Sequence, residues 1–389
     1  MSRFGDGLAT GADLTRAAEE ATRAALAPLG GRVPDLVCLF VSGPDPAAVE
    51  AAGERVSELA GAATVLGCSA AGVVGAGRGV EGRSAVSVFA ALLPGVRLRS
   101  FHLEVMRAET GMAVMGLPET EPSVDEVALL LVDPHSFPAG GFLTQANRML
   151  PGLPVVGGLA SGPAGPGSVR LFVDGRTVDR GAVGVLLQGA GASTLVSSGC
   201  RPVGPPMTVT AASGNVVLGL AGEPALQRVE RLLGDLLPVE QALASSGLQF
   251  GVAVDDYAED GDYLVRPVVG SERETGGLVV GDHIPVGRTV RLQVRDADAA
   301  DAGLTATLAG HRRDTLDAPV GGVLLFSCLG RGADMFGASY GGVDHDAATV
   351  QRQLAPAAAA GFFADGELGP VGGANHLHAF TASMLAFPA

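Results

Sequence analysis

Three times along the chain an apolar run leads through a helical spacer to a second apolar run, a glycine-rich turn and a third apolar run. The first set is DLVCLFVSGP (Asp35 to Pro44), AAVEAAGERVSELA (Ala47 to Ala60), TVLGCSAAG (Thr64 to Gly72) and SAVSVFAALL (Ser84 to Leu93). The second is DEVALLLVDP from Asp125, GGFLTQANRML from Gly140, LPVVGGLASG from Leu153 and VRLFVDG from Val169. The third is GGVLLFSCLGRG (Gly321 to Gly332), a spacer from Ala347 to Leu354, GFFADGELGP (Gly361 to Pro370) and HLHAFTASMLAF (His376 to Phe387). A helical spacer between two strands is the crossover that parallel pairing needs, and such crossovers are right-handed. The pattern predicts an α/β chain with mixed sheets built from strand-helix-strand-glycine turn-strand units. Reuse of one unit and the ordinary alternation of an α/β protein both produce it.

Between these sets the signals change period. An amphipathic helix is predicted from near Asp13, with Leu14, Ala17, Ala18, Ala21, Ala25 and Leu26 on one side. Val96 to Val105 alternates as a half-buried strand does, and Thr110 to Ser123 reads as a polar connector. Asp174-Gly175 signals a hairpin, with Ala182 to Gly189 as the expected partner strand. Antiparallel strands follow, then a helix from Glu223 to Leu237, further strands, and a helix from Asp296 to Ala309. The expected organisation is a helical lead-in over 1–33, one domain over 34–222 and a second over 223–389.

Composition narrows the function. With 389 residues, 47% hydrophobic content and a mean hydropathy of +0.34, the chain can bury more than one ordinary core. No apolar run approaches the ~20 residues of a membrane span, and the amino terminus lacks the pattern of a signal peptide. A soluble, cytoplasmic protein is expected, its four cysteines reduced. Net charge is −15 and all 26 basic residues are arginine. The missing lysine excludes a lysine Schiff base and a P-loop, and the acidic balance argues against nucleic acid and anionic membranes. No dinucleotide fingerprint follows a strand, so no cofactor is expected.

The candidate chemistry sits at the glycine turns. Gly67, Cys68 and Ser69 end one apolar run, and Gly157, Gly158 and Ser161 end another. Glycine there lets backbone approach a ligand, although a purely structural strand end has the same composition. Ser69 faintly resembles a nucleophile elbow but lacks the helix directly behind it. Cys68 and Cys328 read as thiols in corresponding places of two units, either nucleophiles or small packing residues. Arg331 between glycines suits a bidentate carboxylate clamp, with an ion pair to Glu367 or Asp334 as the other reading. Glu367 could answer an ammonium group. His376 and His378 share one strand face, the spacing of a metal pair, but no third ligand stands at short spacing; a hydrogen-bonded turn histidine is the other reading, and no metal is expected.

GCSAAG after a strand, LPVVGGLASG before LFVDG, CRPVG before TVTAASGNVVLGLAGEPAL, then FSCLGRG, GFFADGELGP and LHAFTASM together resemble the FIST family, over nearly the whole chain from Asp35. That resemblance implies amino- and carboxy-terminal FIST domains and a sensory module for small ligands, amino acids among them. Such modules are often attached to output domains; the expectation here is a stand-alone sensor that signals through a partner chain. The alternatives are a cysteine- or serine-dependent acyl- or amide-processing enzyme using Cys68, Ser69 or Cys328, and a ligand-free scaffold.

Overall fold

The computed structural model describes residues 1–389 other than 109–110, 121–124, 163–164, 256–261 and 356. Contacts divide the chain into two compact units: Met1–Ser197 with Leu304–Leu377 and Thr381–Ala389, and Ser198–Gly303 with His378–Phe380. These cut the chain differently from the linear division at 222/223. The carboxy-terminal strands belong in space with the amino-terminal half, and the hairpin pairings below are the reason.

The first unit begins with β1 (Arg3–Thr10), α1 (Leu14–Leu26), β2 (Leu36–Ser42), α2 (Pro46–Ala60), β3 (Thr64–Ala70), β4 (Gly72–Gly75), β5 (Arg78–Glu81) and β6 (Ala85–Leu92). It continues with β7 (Arg97–Ala108), β8 (Gly111–Met115), β9 (Glu126–Val132), α3 (Ala139–Met149), β10 (Val155–Leu159), β11 (Leu171–Val173), β12 (Arg176–Val178), β13 (Ala182–Gln188) and β14 (Ser193–Ser198).

In the second unit, β15 (Cys200–Ser213), β16 (Val216–Leu220), β17 (Glu223–Pro224), β18 (Leu248–Ala253), β19 (Tyr263–Glu272), β20 (Gly277–Val280) and β21 (Thr289–Arg295) pair in the order β15-β21-β18-β19-β20-β16-β17. The long β15 pairs antiparallel with β21 through its first half and with β16 through its second, so the ladder closes on itself as a barrel. Phe250, Leu278, Val290 and Leu292 fill it, and α4 (Ala225–Asp235) and α5 (Pro238–Ser245) add Val229 and Ala244 to the same core.

α6 (Ala297–Asp314) leads back to the first unit, completed by β22 (Val320–Cys328), α7 (His345–Leu354), β23 (Ala358–Ala364), β24 (Glu367–Val371), β25 (Ala374–His378) and β26 (Thr381–Pro388). Its three sheets run β1-β6-β2-β3-β11-β12, β25-β24-β10-β9-β13-β7-β8 and β14-β26-β22-β23-β4-β5. Each holds one parallel pair joined by a helix: β2/β3, β9/β10 and β22/β23. On the other side of each pair's first strand lies an antiparallel partner, β6, β13 or β26. The hairpin after each pair does not stay in its own sheet. β4–β5 joins β23, β11–β12 joins β3, and β24–β25 joins β10, so every sheet closes an edge of another.

Side chains of these strands alternate between one shared core and three outer ones. Phe40, Leu131, Phe326 and Phe362 meet in the centre. Val37 and Leu39 pack outward against α1 and α2, Leu130 against α3, and Leu325 against α6 and α7. Burial on both faces explains why the strands read as continuous apolar runs.

The parallel pairs share a steric constraint. Gly67 lies opposite Leu39, Gly157 opposite Leu130 and Gly361 opposite Leu325. A Cβ at these glycines would stand 2.3, 1.9 and 1.7 Å from the facing leucine carbonyl oxygen. The same three strands spell Gly-x-x-Ala-x-Gly, over 67–72, 157–162 and 361–366.

Three expectations need correction. Thr110 to Ser123 is not simply a connector, since its described part contains β8. The partner of the Asp174-Gly175 hairpin is β12, because those two residues take φ 47° and 74° and turn the chain back at once. The first residues are not all lead-in: β1 pairs along its whole length with β6.

Gly67→Ala, Gly157→Ala and Gly361→Ala should each lower the unfolding free energy by at least about 2 kcal/mol in urea titration, because the obstacle is backbone. Gly141→Ala, in α3 with open space around its Cβ position, should instead stabilise by about 0.5–1 kcal/mol.

Candidate functional site

The carboxyl ends of the three parallel pairs lie at one end of the first unit, and there the glycine turns touch. Ser161 Oγ accepts from Ala71 N at 2.9 Å and donates to Phe363 O at 2.5 Å, linking all three turns. Ser69 is bound into a ladder with Arg170, through its amide at 2.7 Å and its hydroxyl at 3.0 Å. Neither serine is presented as a nucleophile.

Several expected ligand residues are structural. Gly67 and Gly157 lie within strands against leucine carbonyls, and at Gly158 a Cβ would stand 2.9 Å from that of Ala364. Cys68 is fully buried in the central core, and burial together with nearby Cys38 pushes its thiol well above the ordinary range. A thiol so placed is not an activated nucleophile. Nor do Cys68 and Cys328 correspond: Cys68 is on the second strand of its pair, Cys328 ends the first strand of its own. His376 lies half-buried on β25, beside the strand that carries Glu367.

Cys328, Arg331 and Glu367 do come together, around residues of α7. β22 ends in Ser327 and Cys328, and the tight turn Leu329–Arg331 swings the Arg331 side chain into the protein, where it is 1% exposed. Its Nε and Nη2 donate to the two oxygens of Asp346, each at 2.8 Å. Ser327 Oγ donates to the same carboxylate at 2.6 Å, and His345 Nδ1 lies 2.8 Å from it. His345 stacks on Phe336 at 3.6 Å, and the Arg331 guanidinium lies over the same ring, 5.4 Å from its centroid. Burial opposes ionisation of Asp346, but Arg331, His345 and Ser327 outweigh it and hold the carboxyl well below its usual range.

Glu367 opens β24 and is fully buried. Thr381 donates to its Oε2 through N at 3.1 Å and through Oγ1 at 2.7 Å. Burial pushes its pKa from the ordinary 4.5 to about 8, while Thr381, the Cys328 thiol and the Arg331 charge pull the other way. Near neutral pH the carboxyl is therefore mostly protonated and able to donate. Among the described residues, Arg331 Nη1 and Glu367 Oε1 have no hydrogen-bond partner in the protein.

The expected carboxylate clamp at Arg331 needs correction, since Asp346 already occupies the two-point edge of the guanidinium. What remains is one donor, Nη1. The carboxylate that Arg331 meets is Asp346, in the first turn of α7; Asp344, two residues before it, accepts from Gly79 N at 2.8 Å. Ser327 and Thr381 carried no distinguishing sequence signal.

The FIST N domain family matches residues 35–223 and the FIST C domain family residues 225–370. The chain belongs to the FIST family. FIST domains are generally described as sensory domains for small ligands. The uncharacterized protein Rv0628c of Mycobacterium tuberculosis strain H37Rv is 40% identical over 395 residues, covering 99% of both chains. The uncharacterized protein Mb0898c of Mycobacterium bovis is 37% identical over 388 residues, covering 99% of this chain and 98% of its own. In this FIST protein, no group of three or more His, Cys, Asp or Glu among the described residues is arranged to hold a metal, and no helix among them is long and apolar enough to cross a membrane.

Two outcomes are expected from this site. Asp346→Ala leaves the Arg331 charge buried and unpaired and should cost about 3–5 kcal/mol in denaturant unfolding. For Glu367 the folded pKa lies above the unfolded one, so the native state binds the extra proton between pH 4.5 and 8. Its contribution to stability is complete below that window and is lost as pH rises through it, by at most about 1.4 kcal/mol per pH unit. Glu367→Gln should remove this slope from the pH dependence of unfolding.

Proposed function

We propose that this FIST protein is a small-ligand sensor whose recognition centre is the Cys328–Arg331–Glu367 cluster, with its occupancy read by a partner chain. The observation that carries the reading is the pair of buried atoms without a protein partner, Arg331 Nη1 and Glu367 Oε1. Buried polar groups in folded proteins are almost always satisfied, and a pair left open at the carboxyl ends of parallel strands is where α/β folds take ligands. At neutral pH both atoms belong to groups that can donate. They suit a compact acceptor, such as one small carboxylate spanning the two, better than the ammonium end of an amino acid. Pairing Glu367 with an ammonium at pH 7 first requires ionising it, at a cost of about 1.4 kcal/mol for a pKa one unit above the pH.

Thermal unfolding against short carboxylates, amino acids and nucleotides tests the reading. A ligand at a hundredfold its Kd adds about 2.7 kcal/mol to the native state, a shift of a few degrees. A small carboxylate should give it, with affinity falling as pH rises past 8 because Glu367 loses its proton beside Cys328, Arg331 and Asp346. In Glu367→Gln that pH dependence should vanish. Affinity that rises with pH would overturn the donor assignment, and a panel without any shift would overturn the small-carboxylate reading of the cluster.

A further inference from the structure

We propose that Cys328 is a peroxide-reactive thiol, converted to a sulfenic acid by a small hydroperoxide bound between Arg331 and Glu367. The inference rests on the reading of this cluster as the sensing centre and names the substrate class it would take. Three features carry it.

The first is access. Cys328 keeps 8% of its surface exposed, whereas Arg331 keeps 1%, Glu367 0%, Ser327 0% and Asp346 3%. The thiol residue is the approachable member of a set that is otherwise closed, so the incoming molecule must be small. Hydrogen peroxide has two heavy atoms.

The second is the polar surroundings. Cys328 Sγ accepts from Gly330 N at 3.4 Å, and the thiol interacts with both the Glu367 carboxyl and the Arg331 charge. A donated amide hydrogen and a nearby cation both favour negative charge on sulfur. The third is the pair of buried polar atoms Arg331 Nη1 and Glu367 Oε1, on the two side chains that interact with this thiol. Two donors on neighbouring side chains can hold the two oxygens of a peroxide and stabilise the charge that develops as its bond breaks.

The step balances without a further reactant. A sulfur lone pair attacks one peroxide oxygen and forms the S–O bond. The O–O bond breaks, and its electron pair leaves on the distal oxygen, which takes the proton of Glu367 and departs as water or an alcohol. The proton of the Cys328 thiol restores Glu367. Sulfur is oxidised by two electrons and the peroxide is reduced by two, giving Cys–SOH. The other cysteines supply internal controls: Cys38 and Cys68 are fully buried in the apolar core, and Cys200 is partly exposed in the second unit.

The full-length protein would be treated with hydrogen peroxide in the presence of dimedone, and the adduct on each cysteine peptide followed by mass spectrometry. Cys328 should be labelled at least tenfold faster than Cys200, and faster in the folded protein than in the urea-unfolded chain. Glu367→Gln should slow Cys328 labelling about tenfold while leaving Cys200 unchanged and the protein folded. Labelling of Cys328 no faster than in the unfolded chain would overturn the proposal, as would a Glu367→Gln variant that reacts at the native rate. If Cys328 is inert while a carboxylate still shifts unfolding in the Glu367-dependent way described above, the peroxide proposal falls and the sensor stands. If Cys328 reacts as expected and the carboxylate panel is silent, the peroxide is itself the ligand.

Discussion

The first unit depends on how closely its parallel strands approach. At Gly67, Gly157 and Gly361 the facing leucine carbonyl occupies the place where a Cβ would be, so the two strands of each pair come together only with glycine there. Each glycine-bearing strand is also the one that accepts a hairpin from another sheet. The steric requirement and the hairpin pairing thus meet on the same three strands. Exchange of the hairpins covers the outer edges of β3, β10 and β23, beside a central core that holds Phe40, Phe326 and Phe362, whose rings lie 5.1 to 6.3 Å apart.

The same arrangement brings the carboxyl ends of three parallel pairs to one end of the unit, and among the described residues the three ends differ in how their side chains are engaged. The first pair ends in Ser42, whose hydroxyl donates to the Ala71 and Arg83 carbonyls. The second leads to Asp133, whose oxygens are taken by His135 N and the Ser136 hydroxyl. The third leads to Ser327, Cys328 and Arg331, with α7 behind them. Local hydrogen bonds engage Ser42 and Asp133 at the first two ends, and among the described residues the third keeps two buried polar atoms open.

Much of this architecture was legible as apolar runs, because strands buried on both faces have no polar alternation to blur them. β1 was not legible, for a reason its neighbours supply. Its inward positions include Gly5 and Gly7, where a Cβ would stand 2.1 Å from the Ala25 and Ala21 carbonyls of α1, so close packing by the helix erased the hydrophobic signal of the strand. The hairpin exchange was hidden because the runs in question are short and reveal nothing about which sheet receives them. At the site, glycine misled. Its density marked strand contacts as well as turns, which is how Gly67, Gly157 and Gly158 came to be read as ligand-facing. Cys328, Arg331 and Glu367 stood out by residue type, but Asp346 could not, since an acidic residue in the first turn of a helix is ordinary until the helix is seen to face a buried arginine.

Charge accounting explains why the cluster takes the form it does. It contains one guanidinium and two carboxyls, all nearly inaccessible to solvent. One buried cation can neutralise one buried anion, and geometry decides which: Asp346 faces the planar edge of Arg331 and takes both of its bonds, aided by Ser327 and His345. Glu367 receives only the longer-range part of the same charge, together with two bonds from Thr381, and burial prevails. The two carboxyl pKa values are thereby driven apart, one below the usual range and one near 8. A second ionised carboxylate would leave the cluster with net buried negative charge. The neutral Glu367 avoids it, and the result is a proton held inside the protein next to the cluster's most accessible member, the Cys328 thiol.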